Sequence, residues 1–331
     1  MQLKNRIESL VALGQHLLSM DENWLQAKET AGYKNGWFTN EFIHIASNNI
    51  ATAFLQQHIL EDFCKTYNVA ENKSTKVIGL VMAGNIPMVG FHDLLCVLLS
   101  GHNVLIKLST KDEILMQHII QFLYHHNEAW KHIIGISELL KNCDAYIATG
   151  SDNTAKYFEY YFSKYPSIIR KNRTSVAVLE GNETDEELEK LADDVHLFFG
   201  LGCRNVTKLF VPKGYNFERM ITIFKKYEAL GNHHKYKNNY DYNLALYLLN
   251  NQYYMTNGAT IFVENDQLFS PISCMHYTFY KDKNALKQTI ENDERIQCIV
   301  GHEFIPFGDA QQPSIYQFAD GADTMRFLVD L

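Results

Sequence analysis

KVIGLVMAG, residues 76–84, is a short and almost continuously apolar run that ends in Ala-Gly. Such a run is typical of a strand buried on both faces of a parallel sheet. Three more runs of this kind follow, and they alternate with helical stretches at βαβ spacing. They are HNVLIKLS (102–109), DAYIATGS (144–151) and TSVAVLEG (174–181). The alternation predicts an α/β fold, namely a doubly wound parallel sheet with crossover helices.

Apolar patterns on both sides of this region extend the prediction. Residues 1–20 and 38–67 carry apolar side chains at helical spacing, and we expect helices there that pack on the main body. Weaker strand patterns follow residue 203, at 208–215, 259–265, 273–282 and 297–301. At roughly 150 residues per domain, a chain of 331 residues is expected to form two domains.

Composition and charge argue against several classes of protein. The 38 acidic and 30 basic residues give a formal net charge of −8, which disfavours the basic surface that binds nucleic acid. The six cysteines form no Cys-x-x-Cys pair, so no metal site is predicted. No apolar run reaches the roughly 20 residues of a membrane span, and the N-terminus lacks a signal-peptide pattern. We therefore expect a cytoplasmic protein without a membrane span.

Cys203, in FFGLGCRNVTKLFV (198–211), is the candidate nucleophile. Gly200 and Gly202 let the chain pass closely around the sulfur, and Arg204 adds a basic residue that favours a thiolate. A thiol is the natural nucleophile for acyl transfer from a thioester. The alternative is a buried structural cysteine beside a glycine that ends a helix, and buried cysteines of this kind are common.

Further candidates lie at or near the carboxyl ends of the four predicted strands. Asn85 can donate to an oxyanion, and Lys107 with Ser109 can contact a ribose or phosphate. Gly150 with Ser151 can offer N–H groups to phosphate, and Glu180 can act as a general base. Each is also an ordinary residue of a turn, a solvated strand end or a helix cap, and the full Gly-x-Gly-x-x-Gly fingerprint is absent. Because the carboxyl ends of parallel strands share one edge, we expect these residues to form one site.

The order of these elements resembles the aldehyde-dehydrogenase superfamily. VIGLVMAGNIPMVGFHDLLCVLLSGHNVLIKLSTK (77–111) is similar to the family's strand, Asn-x-Pro turn, long helix and Lys-Pro-Ser strand. TGS (149–151) resembles the start of its Gly-Ser cofactor loop, LEGN (179–182) its Glu-Leu-Gly-Gly element, and GLGC (200–203) its Gly-Gln-x-Cys nucleophile segment. Within the superfamily, GLGCRNVTKLFVP (200–212) and PFGDAQQPSIYQFADGADTMRFL (306–328) look most like acyl-CoA reductases related to the LuxC subunit of bacterial bioluminescence.

The resemblance implies doubly wound parallel sheets in a cofactor domain and a catalytic domain. On this basis residues 1–183 hold the N-terminal helices and the nicotinamide-cofactor domain. Residues 184–310 form the catalytic domain, and residues 311–331 return to the cofactor domain or to an interface. The resemblance also implies a homodimer.

Cofactor contacts follow from the same resemblance. Lys107 and Ser109 would hold the adenosine ribose or its 2′-phosphate, and Gly150 and Ser151 would lie near the pyrophosphate. Gln267, in QLFSP (267–271), stands where the family has a glutamate that binds the cofactor ribose, so the charge is missing. The implied cofactor is NADPH, with NADH as the alternative.

The implied reaction is reduction of a fatty acyl thioester to the aldehyde through an acyl-enzyme on Cys203. Asn85 and a backbone N–H would hold the oxyanion, and Glu180 would be the base, although Gly-Asn follows it instead of Leu-Gly-Gly. The acyl donor would be coenzyme A or a partner protein. Three alternatives stay open: an NAD(P)-dependent aldehyde dehydrogenase working in the oxidative direction, a non-catalytic subunit that binds an acyl-protein, and an unrelated α/β cofactor protein in which Cys203 is only part of the core.

Overall fold

The computed structural model of the chain describes residues 1–70 and 74–331. These residues form two units, one made of Met1–Asn172 with Pro313–Leu331 and the other of Arg173–Gln312, hereafter the first and the second unit. The division falls at 172/173 instead of the predicted 183/184, because the strand that begins at Thr174 belongs to the sheet of the second unit.

Four helices of the described residues precede the first sheet, and each buries an apolar face. They are α1 (Leu3–Leu17), α2 (Glu22–Lys34), α3 (Asn40–Ala53) and α4 (Gln57–Thr66). On α1, the leucines at 10, 13 and 17 are buried, as the helical spacing of apolar residues predicts. The sequence pattern does not predict α2, in which only Trp24 and Ala31 are buried.

Five parallel strands of the described residues form the sheet of the first unit, in the order β3-β2-β1-β4-β5. They are β1 (Val77–Val81), β2 (Asn103–Lys107), β3 (Ile134–Ile136), β4 (Ala145–Thr149) and β5 (Ser167–Arg170). The helices of this part are α5 (Phe91–Ser100), α6 (Glu113–His126), α7 (Asp152–Phe162) and, near the C-terminus, α12 (Thr324–Val329). The sheet confirms the predicted doubly wound fold, although β3 and β5 are absent from the prediction.

The second unit contains a sheet of six strands among the described residues, in the order β11-β6-β7-β10-β9-β8. The strands are β6 (Thr174–Val178), β7 (Val206–Pro212), β8 (Met255–Thr256), β9 (Ile261–Glu264), β10 (Cys274–Tyr280) and β11 (Ile296–Val300). All neighbours are parallel except β8 and β9. The helices are α8 (Asp185–His196), α9 (Glu218–Ile223), α10 (His234–Leu249) and α11 (Lys283–Glu291).

The run TSVAVLEG (174–181) is predicted as the fourth strand of the first sheet, and that prediction is wrong. Its strand β6 pairs with β7 and β11 in the second sheet. The strand that pairs with the outer side of β4 in the first sheet is β5, which has four residues, of which only Arg170 is fully buried. Because β5 is short and half-exposed, its sequence does not show the continuous apolar run of a buried strand.

Helix α8 leads the chain towards Cys203 and is fixed at both its start and its apolar face. The Thr184 hydroxyl accepts a hydrogen bond from the Glu187 N–H, and the Glu187 carboxylate accepts one from the Thr184 N–H, which together form a capping box. Leu188 and Leu191 are buried in the core that also contains Leu209 of β7. Burial of each leucine side chain stabilises the fold by about 1.5–3 kcal/mol.

No helix among the described residues has both the length and the apolar character needed to cross a bilayer.

Candidate active site

The carboxyl edge of the first sheet collects three of the predicted sites. Asn85 follows β1, Lys107 ends β2, and Gly150 follows β4. β1 lies between β2 and β4 and is parallel to both, so the three turns are neighbours. The strand order also reverses between β1 and β4, and such a switch point is where open α/β sheets bind their ligands.

The turn that carries Asn85 packs tightly against the segment after β2. A Cβ atom at Gly84 would lie 2.4 Å from the Ser109 hydroxyl oxygen, so only glycine fits there. The buried Asp112 carboxylate accepts a hydrogen bond of 2.7 Å from the N–H of Met88, a residue in the left-handed region at φ 55°. Burial raises the pKa of Asp112 well above its ordinary value. Asp112 thus anchors the turn that contains Asn85.

Lys107 and Ser151 provide two features that suit an anion. Lys107 is exposed, and its Nζ lies 3.9 Å from the exposed carboxylate of Glu138, which makes a weak surface ion pair. Ser151 is the N-cap of α7, and its hydroxyl accepts a hydrogen bond from the Thr154 N–H. The start of α7 therefore combines N–H groups with the positive end of a helix dipole at this edge.

In the second unit, Cys203 follows a turn with an unusual backbone. Phe198, Phe199 and Gly200 have φ values of 55°, 57° and 71°, so three consecutive residues lie in the left-handed region. Bulky residues rarely adopt this conformation, and it persists only where surrounding contacts impose it. Both phenylalanine side chains are buried, and the Phe199 ring lies 4.4 Å from the ring of His233. Tertiary packing therefore determines the path of the chain into Cys203.

Cys203 differs from the other five cysteines in its exposure. All six cysteines are described and none is in a disulfide; five are buried, and Cys203 alone is half-buried. Burial raises the pKa of Cys64 and of Cys274 to about 11, and it also raises the pKa of Cys298. Because the thiolate is the reactive form, burial makes these thiols poor nucleophiles. Cys203 is the cysteine of the chain best suited to attack a substrate.

The residues on either side of Cys203 are held by hydrogen bonds from neighbouring elements. The Ser175 hydroxyl, on β6, donates to the Cys203 carbonyl at 3.0 Å and accepts from the Cys298 N–H at 3.1 Å. The Gly202 N–H donates to the Asn205 side-chain oxygen at 2.8 Å. The Arg204 guanidinium, which the sequence places beside the sulfur of Cys203, donates to the sulfur of Cys298 at 3.1 Å.

The structure does not bring Glu180 to Cys203. Ser175 pairs with Val206, so Cys203 lies at the amino end of the β6–β7 pair, whereas Glu180 lies beyond the carboxyl end of β6. Five residues of extended chain between Ser175 and Glu180 span roughly 16 Å. The Glu180 carboxylate instead accepts a hydrogen bond of 2.5 Å from Lys283 Nζ. The expectation that Glu180 shares an edge with Asn85 is also wrong, since the two follow strands of different sheets.

Gln267 lies in the loop that joins β9 to β10. Its side chain is exposed, and its carbonyl lies 3.0 Å from Nδ1 of the buried His276. The next carbonyl, of Leu268, accepts a hydrogen bond from the hydroxyl of Thr207, the second residue of β7. This loop is therefore anchored to the strand that begins three residues after Cys203.

The sequence profile of the LuxC acyl-CoA reductases matches residues 37–221, which is more than half of the chain. The chain belongs to the LuxC family of acyl-CoA reductases. The match extends from the N-terminal helices through the first sheet and β7 into α9, and it includes Asn85, Lys107 and Cys203. It confirms the resemblance seen in the sequence and places this LuxC-family chain among oxidoreductases that act on acyl groups or aldehydes.

Solved structures confirm that this LuxC-family chain has the aldehyde-dehydrogenase fold. An NADP-dependent enzyme of E. coli has a TM-score of 0.68 at 10% identity, covering 91% of this chain and 73% of that chain. Aldehyde dehydrogenase 21 of Physcomitrella patens has a TM-score of 0.68 at 11% identity, with coverages of 100% and 84%. A propionaldehyde dehydrogenase variant of Clostridium phytofermentans has a TM-score of 0.64 at 10% identity, with coverages of 95% and 82%. No curated protein matches the sequence.

Three residues that support predicted site residues within their own units are absent from the sequence-based prediction. Asp112, Ser175 and Asn205 are all at most 3% exposed, and each binds a backbone group of a predicted site residue or of a residue within three positions of one. Of the three, only Asn205 could have been recognised in the sequence, because its amide side chain lies between Cys203 and an apolar strand. Asp112 and Ser175 act across elements distant in sequence, so only the fold reveals them.

Proposed function

We propose that the chain reduces a fatty acyl thioester to a fatty aldehyde with NADPH, through an acyl group held on Cys203. The observation that carries this proposal is the setting of Cys203. It is the one cysteine of six that is not buried, and it follows a left-handed turn fixed by packing. Membership of the acyl-CoA reductase family supports the choice of substrate.

In the proposed reaction the thiolate of Cys203 attacks the acyl carbonyl carbon. The bond between that carbon and the donor sulfur breaks, and coenzyme A or a carrier thiol leaves. Asn85 is proposed to donate a hydrogen bond to the oxyanion of the tetrahedral intermediate. Reduction of the Cys203 thioester then gives the aldehyde and regenerates the thiolate.

The carboxyl edge of the first sheet fits a nicotinamide dinucleotide. Gly150 and Ser151 stand at the N-terminus of α7, where N–H groups and the helix dipole favour a pyrophosphate. Lys107 is exposed at the adjacent strand end and is proposed to meet the ribose 2′-phosphate, which favours NADPH over NADH. When bound, the nicotinamide would supply the hydride for the reduction.

The position of Glu180 supports reduction over oxidation. An oxidative aldehyde dehydrogenase must hydrolyse its acyl-enzyme, and for this step a general base near the thioester activates water. Glu180, the predicted base, is paired with Lys283 at the opposite end of the β6–β7 pair from Cys203. A thioester that is resolved by reduction does not need this base.

The test is mass spectrometry of the protein after incubation with a series of acyl-CoA thioesters, with and without NADPH. We expect an acyl adduct on Cys203 without NADPH and fatty aldehyde with it. Cys203→Ser should abolish both while NADPH binding stays within twofold of wild type. Cys64→Ser, which changes a buried thiol on α4, is the matched control and should behave as wild type. Aldehyde formation by Cys203→Ser would reject the covalent mechanism.

A further inference from the structure

We infer that Asn205 is a positioning residue. Its side-chain amide holds residues 198–203, hereafter the Cys203 turn, in their reactive geometry. Asn205 is fully buried and lies two residues after Cys203. Its side chain makes hydrogen bonds to both the approach to Cys203 and the end of α8. No contact with substrate is required for this role.

The amide of Asn205 uses both of its polar atoms. Its oxygen accepts a hydrogen bond of 2.8 Å from the Gly202 N–H, the residue just before Cys203. Its nitrogen donates to the carbonyls of Asp194 at 3.0 Å and Leu197 at 2.9 Å, with a longer contact of 3.4 Å to Val195. Donor and acceptor are both needed, and an amide supplies them in one rigid group.

These partners are carbonyls for which the helix has no internal donor. The last four carbonyls of an α-helix lack partners inside the helix, and α8 ends at His196. Directly after this end the chain makes the left-handed turn at Phe198 and Phe199. Asn205 therefore caps the end of α8 from outside and ties it to Gly202 on the other side of the turn. The two ends of the strained segment are thus joined through one side chain.

Ser175 adds an independent tie to the same segment. Its hydroxyl is fully buried, donates to the Cys203 carbonyl and accepts from the Cys298 N–H, so it fastens the segment to β6 and β11. Asn205 holds the backbone before Cys203, and Ser175 holds the carbonyl of Cys203 itself. Rotation of the Cys203 backbone would break at least one of these bonds.

The catalytic consequence rests on the proposed function of Cys203. A nucleophile must meet the carbonyl carbon in the right direction, and a displacement of about 1 Å can cost about 10²-fold in rate. Positioning acts on the step of attack and leaves the binding of acyl donor and nicotinamide unchanged. Loss of Asn205 should therefore lower kcat without raising KM.

The experiment compares Asn205→Asp with Asn243→Asp. Asp at 205 keeps the size and one acceptor but loses the amide donors. Asn243, on α10, is also buried and donates to two carbonyls, at 2.8 and 3.2 Å, so it is a matched control outside the turn. We expect Asn205→Asp to lower kcat at least tenfold with KM within twofold of wild type. Asn243→Asp should keep both values within twofold.

A second readout does not depend on the reductase activity. The rate of iodoacetamide alkylation of Cys203, followed by peptide mass spectrometry from pH 6 to pH 9, reports the reactivity of the thiol directly. In Asn205→Asp we expect the limiting rate at high pH, where the thiol is ionised whatever the charge beside the turn, to fall at least fivefold, because the thiolate is no longer held in one orientation. If wild type shows no acyl-CoA reduction but this fall is seen, the proposed function fails and the positioning role stands.

A folded Asn205→Asp variant with wild-type alkylation and kcat would overturn the inference, because a purely structural role changes only stability. Should that variant fail to fold, Ser175→Ala serves instead, since it removes one hydroxyl and leaves Asn205 intact. We expect Ser175→Ala to lower kcat and the alkylation rate three- to tenfold. A wild-type kcat and a wild-type alkylation rate in Ser175→Ala would also refute the inference that the turn positions Cys203.

Discussion

Asp194 provides a quantitative test of how the region around Cys203 is held. It is fully buried on α8, and its carboxylate accepts hydrogen bonds from the N–H groups of Gly308 at 2.7 Å and Ala310 at 3.1 Å. Its own carbonyl accepts the bond from Asn205. Burial, reinforced by the nearby charges of Asp193 and Asp309, raises the pKa of Asp194 from 3.8 to about 7.

The sign of the effect follows from linkage. Between pH 3.8 and pH 7 the folded protein holds a proton on Asp194 that the unfolded chain releases, so stability falls as the pH rises through this range. The full shift corresponds to about 4 kcal/mol, of which roughly 2.5 kcal/mol falls between pH 5 and pH 8. Replacement by asparagine removes this titration, at a fixed cost of about 1–3 kcal/mol for one N–H left without an acceptor.

A neighbouring histidine opposes the trend in wild type. Burial lowers the pKa of His196 to about 4. Its contribution to the free energy of unfolding therefore decreases as the pH falls below 6.5, by about 2 kcal/mol between pH 8 and pH 5. The two contributions nearly cancel in wild type, and a flat pH profile would reveal neither. The informative quantity is the difference between Asp194→Asn and wild type, because His196 contributes equally to both.

The assay is urea unfolding of both proteins at pH 5 and pH 8, followed in parallel by far-ultraviolet circular dichroism and by tryptophan fluorescence. We expect the free energy of unfolding of Asp194→Asn, relative to wild type, to rise by about 2.5 kcal/mol from pH 5 to pH 8. Trp24, Trp37 and Trp130 are the tryptophans of the chain and all lie in the first unit, so a change seen only in the dichroism assigns the effect to the second unit. A difference in stability between the two proteins that is the same at both pH values would refute the inference that Asp194 is protonated in the folded protein.

Three further variants test individual residues of the site. Lys107→Ala should raise the Kd for NADPH at least tenfold and that for NADH at most twofold in a fluorescence titration; equal losses would remove the 2′-phosphate assignment. Asn85→Ala should lower kcat by about 10²–10³-fold, the usual cost of one oxyanion donor, while iodoacetamide still alkylates Cys203 at the wild-type rate. A kcat within threefold of wild type would reject this role for Asn85. Glu180→Gln should leave the steady-state rate of aldehyde formation within twofold of wild type, and a loss above tenfold would restore Glu180 as a catalytic residue.

The first sheet was predictable from the sequence because its central strands are buried on both faces. β1 and β4 read as continuous apolar runs, and the helices between them carry apolar side chains at helical spacing. β3 and β5 were not predictable in this way, since they have three and four residues at the edges of the sheet and are partly exposed. The omission of β5 has a further consequence, because it assigned β6, and with it Glu180, to the wrong sheet.

The same reasoning explains which residues of the candidate site could be placed from the sequence and which could not. Asn85, Lys107 and Gly150 were placed correctly at one edge because that placement depends only on strand order and direction, which the βαβ rhythm fixes. The relation of Glu180 to Cys203 depends on the register between β6 and β7, and no pattern within either strand reveals that register. Residues such as Ser175, which bind a backbone carbonyl 28 positions away, lie beyond any local pattern.

The turn before Cys203 shows why its short sequence motif alone does not specify a reactive thiol. Two bulky residues in the left-handed region cost about 1–3 kcal/mol each, and glycine accounts for only one of the three left-handed positions. Burial of two phenylalanine side chains contributes about 1.5–3 kcal/mol each, which offsets that cost. The turn is therefore retained because the rings of Phe198 and Phe199 have an apolar core to enter, and the same Gly-Leu-Gly-Cys sequence without that core would relax. It follows that the proposed reactivity of Cys203 is a property of the packed second unit, encoded in α8, β6 and Asn205 as much as in the glycines beside the sulfur.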